Sequence, residues 1–150
     1  MDTVPRKKIS KRQVALNHIH AAIELWPTNT YEVSIIHLAA AAEEILGAML
    51  KRESKRTMLE KFHATLEQHG MGVDRKVAYK AFTKSKNDVK HADVPEDDEV
   101  TYSDVEPLLV LLRAIYNYEA LVGQTTPQMA KFMTKWRPSL RLVNGNKGNR

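Results

Sequence analysis

Residues 29–52 read NTYEVSIIHLAAAAEEILGAMLKR, and this stretch decides the fold. Its apolar residues recur at the three- and four-residue spacing that places side chains on one face of an α-helix. A capping signal opens the stretch, because Glu32 follows Asn29 at the spacing of a capping box. The stretch therefore predicts a long helix whose apolar face needs other helices to cover it. That face comprises Ile35, Leu38, Ala39, Ala42, Ile45, Leu46, Met49 and Leu50.

Helical spacing also dominates the rest of the chain, and no stretch has the bounded alternation that predicts a strand. Each further helix start is marked by a residue type that caps helices well. The last helix is expected to be short, beginning with Pro127 and ending before Pro138. The capping residues are Ser10, Thr57, Asp74, Ser103 and Thr126.

These helices predict an all-α fold, an up-and-down helical bundle of four long helices plus one or two short ones. The connections are short, so consecutive helices should run antiparallel. A chain of 150 residues has the size of one domain and buries roughly 70% of its unfolded surface. We expect a single domain over residues 1–143 and a disordered polar tail over residues 144–150.

The amino-acid composition excludes several kinds of site and argues against a membrane protein. Cysteine is absent, which excludes disulfides, thiolate metal sites and a catalytic thiol. The longest apolar runs, such as Leu108–Leu112, are far shorter than the ~20 residues that span a bilayer. Residues 1–8 are polar and basic with no apolar segment behind them, so we expect no signal peptide. The predicted location is the cytoplasm, with no membrane partner.

Charge is distributed unevenly along the chain. The 23 Lys and Arg residues outnumber the 18 Asp and Glu residues, and the net charge of +5 permits an anionic partner without proving one. Basic residues cluster over 6–12, 51–56 and 75–90, whereas acidic residues concentrate over 93–106. The acidic block has two interpretations: a solvated loop with helix N-terminal charges, or a strip that complements a basic surface on a second subunit.

Glu43 is the first candidate functional residue. On the helical wheel it lies within the apolar arc, near Ile36, Ala39 and Gly47. A carboxylate on an apolar face costs free energy unless it is paired or hydrogen-bonded. Either its stem packs while its head group reaches solvent, or the carboxylate is aimed at a cationic group on the fourth helix.

The end of the fourth helix holds a second candidate cluster, KNDVKH over residues 86–91. Asn87 and His91 share one helix face, whereas Lys86 lies about 140° from His91 on a straight helix. Lys86 and His91 converge on one ligand only if the helix breaks there or a second subunit supplies one of them. The cluster is either a solvated basic face whose histidine complements the helix dipole, or a phosphate-binding and acid/base cluster.

The sequence Lys86-Asn87-x-x-x-His91 resembles the Arg-polar-(x)-His motif of HEPN domains, which are all-α bundles of prokaryotic toxins, antiviral effectors and RNA-processing factors. In that family the Arg and His commonly form a metal-free ribonuclease site at a dimer interface, supported by an acidic or polar residue on the preceding long helix. The resemblance implies that His91 is the general base, Asn87 the polar orienter and Glu43 the supporting carboxylate. Lys86 occupies the Arg position, and a lysine offers phosphate a point charge instead of a planar two-pronged contact.

Two further segments, AAAAEEILG over 39–47 and KHAD over 90–93, look similar to bacterial helical proteins without an established activity. The HEPN resemblance predicts an RNA-associated protein that acts as a metal-independent endoribonuclease of the toxin or defence type. In that prediction the protein is a homodimer, RNA and an antitoxin-like protein are its partners, and three lysines bind RNA: Lys80, Lys84 and Lys90. The alternative is a non-catalytic helical homodimeric interaction module, in which the lysine at the Arg position marks a lost activity.

Metal and cofactor sites are not expected. Glu60 and His63 have the E-x-x-H spacing of di-iron bundles, but such a site needs a second motif that the chain lacks. Glu60 is better explained as the capping-box partner of Thr57. No glycine-rich phosphate loop or dinucleotide fingerprint is present. The few aromatic residues form no base-stacking platform in the sequence, so sequence-specific RNA recognition is not indicated.

Overall fold

The computed structural model of the chain describes residues 4–28, 30–72, 74–89 and 99–144, without the side chains at 82, 85 and 136–144. Every regular element in these ranges is helical, which confirms the all-α prediction. A short 3-10 turn, Trp26–Thr28, follows the first helix. The six α-helices within the described ranges are α1 (Lys11–Leu25), α2 (Glu32–Arg52), α3 (Met58–Gln68), α4 (Arg75–Asp88), α5 (Glu106–Val122) and α6 (Pro127–Asn144).

The core is built around α2, which packs along α5 on one side and α1 on the other. We call the contacts of α2 with α1 and α5 the seam. Small side chains line the seam and let the helices approach closely, since Ala39, Ala42 and Ala114 are completely buried. Larger aliphatic side chains fill the remaining space between the three helices. The largest of them that are almost completely buried are Ile19, Ile35, Leu46, Leu111 and Ile115.

Among the described helices, α2 has the length and composition of a membrane-spanning segment, with a mean hydropathy of 1.6. Half of that stretch is buried inside the fold. The central helix of a water-soluble bundle has the same composition, because its neighbours cover its apolar face. The hydropathy of α2 is therefore accounted for by its position in the core.

Most helix starts follow the capping chemistry that the sequence predicts. The Ser10 hydroxyl accepts a hydrogen bond from the Gln13 amide at 3.1 Å. Thr57 and Glu60 form a complete capping box at the start of α3. Thr126 caps α6, and its hydroxyl is also 2.9 Å from Nε2 of His20 on α1. The Asp74 carboxylate accepts from the backbone amides of Lys76 and Val77 within the first turn of α4.

Two predicted starts differ from the structure. α2 begins at Glu32 after Tyr31, which makes no side-chain capping bond, while the predicted cap Asn29 lies outside the described residues. α5 begins at Glu106 rather than directly after Ser103. The Glu106 carboxylate still accepts from the Ser103 amide at 2.7 Å, so the predicted pair meets in the turn before the helix.

The prediction of a short last helix ending before Pro138 is wrong, because α6 continues to Asn144. Proline removes one backbone hydrogen bond and favours a kink, but residues beyond it can keep helical geometry. The division into four long and one or two short helices is not confirmed and stays a prediction. Residues 145–150 of the predicted tail lie outside the described residues.

The shorter helices α3 and α4 lie beside this core and touch it over shorter stretches than α1, α2 and α5 touch one another. The first amide of α3, that of Met58, donates to Oδ1 of Asn117 on α5 at 2.8 Å. Asn117 is 1% exposed, so this bond fixes the start of α3 from inside the core. Gly70, with φ of +72°, follows α3 in the left-handed conformation that ends many helices.

Candidate functional site

The Glu43 carboxylate is buried at the junction of three helices, and its residue is 4% exposed. Arg113 of α5 donates two hydrogen bonds to this carboxylate, from Nε to Oε1 at 2.8 Å and from Nη2 to Oε2 at 3.2 Å. This two-pronged geometry is the strongest arrangement that an arginine and a carboxylate adopt. The head group of Glu43 therefore does not extend into solvent, which was one of the two interpretations of the sequence.

Lys86 of α4 supplies a second cation to the same carboxylate. Its Nζ lies 3.8 Å from Oε2 of Glu43, and the Lys86 side chain is 11% exposed. A cationic group on the fourth helix thus faces Glu43, which was the other interpretation. We call Glu43, Lys86 and Arg113 the charge cluster. Because the three side chains come from α2, α4 and α5, the cluster joins α4 to the core.

Burial makes the members of the charge cluster dependent on one another. Removing an ion from water is costly, and the attraction to its partner offsets this cost only while both are present. Glu43 has two cations within 4.0 Å, and both are at most 12% exposed. The carboxylate therefore holds the Lys86 ammonium and the Arg113 guanidinium in defined positions.

Sequence reasoning missed Arg113. Its signal is present in the chain, because Arg113 is the one basic residue in the α5 sequence EPLLVLLRAIYNYEALV and lies among apolar neighbours. A cation inside an apolar helix needs a buried partner, just as Glu43 does. Pairing these two charges, each on an apolar helix face, would have predicted the contact between α2 and α5.

The other candidate residues that the structure describes on α4, Lys80, Lys84 and Asn87, do not join the charge cluster. Asn87 is exposed, since one residue step along a helix rotates a side chain by about 100° away from Lys86. Lys80 and Lys84 are exposed as well. A hydrogen bond to the Asp88 carboxylate raises the pKa of Lys84. The predicted general base His91 and the predicted RNA-binding Lys90 lie outside the described residues.

A cavity of about 300 Å³ opens between α3 and α5, directly beside the charge cluster. We call it the apolar slot, because Arg113 is the only charged residue among the described residues that line it. Two of its apolar side chains are partly solvent-exposed, Phe62 by 39% and Leu109 by 45%. The lining residues are Met58, Leu59, Phe62, Leu109, Leu112, Arg113 and Tyr116.

A second cavity of about 280 Å³ adjoins the apolar slot, and the two share Met58 and Tyr116. We call it the charged pocket, because two cations and one carboxylate line it: Arg56, Lys61 and Glu119. All three residues are exposed. The two cavities together place an apolar surface next to a mainly cationic one.

Glu60 and His63, the E-x-x-H pair, each contact neighbouring residues of the fold. The Glu60 carboxylate accepts from the Thr57 amide at 3.3 Å, as the capping interpretation requires. The His63 ring packs edge-on near Tyr79 of α4, with 6.4 Å between the ring centres. Among the described residues, no three His, Cys, Asp or Glu side chains converge as metal ligands do.

No family model matches the chain, and no curated protein or solved structure is significantly similar to it. A function for the site therefore has to follow from the chemistry of the charge cluster and of the two cavities beside it.

Proposed function

We propose that the chain is a HEPN-like, RNA-associated protein and that it cleaves RNA as a metal-independent endoribonuclease of the toxin or defence type. The observation that carries this proposal is the contact between Glu43 and Lys86. The HEPN resemblance calls for a carboxylate on the long preceding helix that supports the cation of the motif. The Glu43 carboxylate and the Lys86 ammonium lie 3.8 Å apart on two different helices.

The surface of α4 supports RNA as the anionic partner. Lys76, Lys80 and Lys84 are all exposed along this helix, upstream of the motif. Exposed lysines attract the phosphate backbone of RNA and release its bound counterions. The net charge of +5 acts in the same direction over longer distances.

The proposed reaction needs no metal. His91 takes the proton from a ribose 2′-hydroxyl, and the 2′-oxygen attacks the adjacent phosphorus. The bond from phosphorus to the 5′-oxygen breaks, and the departing oxygen takes a proton from water. Lys86 stabilises the charge that develops on the phosphoryl oxygens, while Asn87 orients the strand. The products are a 2′,3′-cyclic phosphate and a 5′-hydroxyl.

The proposal extends to the assembly and its setting. The protein acts in the cytoplasm as a homodimer of up-and-down bundles with four long helices each, and an antitoxin-like protein is a further partner. A dimer lets one subunit contribute Lys86 and the other His91, which removes the angular conflict between them on a straight helix.

An RNA cleavage assay in excess EDTA tests the catalytic step. The wild-type protein should cut cellular RNA and leave 2′,3′-cyclic phosphate ends, and His91→Ala should abolish cleavage. His69→Ala is the matched control, because His69 is an exposed histidine at the end of α3 and its loss should leave cleavage intact. Equal cleavage by all three proteins, or none by the wild type, overturns the ribonuclease proposal.

The exposed side chains of the apolar slot favour a second candidate function, a non-catalytic homodimeric interaction module. Phe62 and Leu109 offer apolar surface beside the charged residues of the adjoining pocket, and many protein interfaces combine apolar and charged surface in this way. In this case the protein dimerises without cleaving RNA. Sedimentation analysis of Leu109→Glu tests whether the dimer uses the slot, because such a dimer dissociates when a charge is placed there. The cleavage assay then separates the two candidates, since only the first cleaves RNA.

A further inference from the structure

We propose that the apolar slot holds one base of a bound RNA strand and that the charged pocket holds the adjacent backbone phosphate. The inference rests on the proposed RNA association and adds a recognition site to it. It also departs from the expectation drawn from sequence, in which no base-stacking platform was visible. The platform arises only when α3 and α5 pack side by side.

The lining of the slot suits a nucleobase. Phe62 of α3 and Tyr116 of α5 border one cavity of about 300 Å³, and the Phe62 ring is 39% exposed. Exposed aromatic rings bind unpaired bases by stacking, and every base has a face that can stack. The aliphatic side chains of Leu109 and Leu112 complete an apolar wall. The apolar face of a base loses little free energy when it leaves water to contact such a wall.

The charged pocket suits the phosphate that is attached to such a base. Arg56 and Lys61 bring two positive charges to a cavity that shares Met58 and Tyr116 with the slot. Glu119 lines the same cavity and opposes an anion. The pocket therefore keeps one net positive charge. Its carboxylate limits the affinity, and the effect of removing it can be measured.

Arg113 connects this subsite to the proposed reaction centre. The same residue lines the slot and binds Glu43, which in turn contacts Lys86. The slot and the charge cluster are therefore neighbours through one side chain. In the proposed complex, a strand with one phosphate near Lys86 places a neighbouring nucleotide in the slot.

Binding of fluorescein-labelled RNA octamers, measured by fluorescence anisotropy in EDTA, tests the inference. The His91→Ala background keeps the strand intact. Phe62→Leu keeps apolar volume but removes the stacking face, and we expect it to weaken binding at least about fivefold, the lower end of one stacked base. Tyr31→Leu is the matched control, because Tyr31 is an aromatic residue that is 51% exposed outside the slot. It should change the affinity less than about twofold.

The charged pocket has its own pair of variants. The double variant Arg56→Gln with Lys61→Gln removes two cations and should weaken RNA binding. The salt dependence of the affinity should fall by the amount that corresponds to about one phosphate contact. The control double variant, Lys11→Gln with Arg12→Gln, removes the same charge at the exposed start of α1. It should weaken binding less than the pocket variant does. Glu119→Gln should tighten binding, a gain that damage to the fold does not produce.

The outcomes separate the inference from the proposal beneath it. If the parent protein binds no octamer, both RNA association and the base site are overturned. If it binds but Phe62→Leu and Tyr31→Leu behave alike, only the base site is overturned. Sedimentation at the same concentration adds a third outcome. If Phe62→Leu dissociates a dimer without weakening RNA binding, the slot is a subunit interface instead.

Discussion

Replacing Glu43 by glutamine should destabilise the protein strongly. Glutamine keeps the size of the side chain but removes the only negative charge of the charge cluster. Lys86 and Arg113, with side chains 11% and 12% exposed, then face each other without their shared carboxylate. Removing one partner of a buried ion pair costs about 3–5 kcal/mol. We expect about 3 kcal/mol, because the amide oxygen still accepts one N–H and both cations keep some contact with water.

Urea unfolding followed by far-ultraviolet circular dichroism measures this loss. In thermal unfolding, a loss of about 3 kcal/mol corresponds to a fall in Tm of about 6–12 °C for a chain of this size. Glu53→Gln is the matched control. Glu53 is paired with Lys55 at 2.8 Å, but its side chain is 51% exposed, so the same substitution should cost below about 1 kcal/mol.

A triple variant sharpens the argument. Replacing Glu43 by leucine and both Lys86 and Arg113 by methionine removes all three charges while keeping similar volume. Fully apolar replacements of buried ion pairs are often neutral or stabilising, so this variant should be more stable than Glu43→Gln. Equal losses for Glu43→Gln and Glu53→Gln, or a triple variant less stable than the single one, would refute the mutual dependence of these charges.

Three further predictions concern the frame around the site. Gly47→Ala should raise the free energy of unfolding by about 0.5–1 kcal/mol, because Gly47 lies inside α2 and a new Cβ meets Thr57 at an ordinary 3.6 Å. A lower Tm for this variant would contradict it. Asn117→Ala should cost about 1–3 kcal/mol in urea unfolding, because the partly buried amide of Met58 loses its acceptor. Burial lowers the pKa of His20 below 6.5, so the unfolded chain takes up its proton more readily. Stability should therefore fall as the pH drops below about 6.5, and a His20→Gln variant with the same pH dependence would rule this out.

The parts of the fold that depend on neighbouring residues were predictable from the sequence. The caps at Ser10, Thr57, Asp74 and Thr126 each involve groups two or three residues away, so their spacing is visible in the chain. The helical wheel likewise placed Glu43 within the apolar arc, but it left open whether the carboxylate reaches solvent or a cation on the fourth helix. Local chemistry of this kind does not depend on how the helices assemble.

The partners of Glu43 and the two cavities were not predictable by that reasoning. Arg113 meets Glu43 only because α2 and α5 pack at one register, and helix periodicity carries no information on register between distant helices. The apolar slot likewise needs Phe62 of α3 to lie opposite Tyr116 of α5. The continuation of α6 through Pro138 shows a different limit, because a local breaker signal does not always end a helix.

The sparse attachment of α3 and α4 has a consequence for motion. Few contacts join this pair to the seam of α1, α2 and α5, so it can open while the seam stays closed. The charge cluster opposes that opening, because α4 cannot separate from α2 and α5 without exposing Glu43 to water. Backbone amides of α4 should exchange with solvent hydrogen sooner than those of α2. A strand bound between α3 and α5 and along α4 would have to be released before each opening, so RNA would slow exchange in α3 and α4 first.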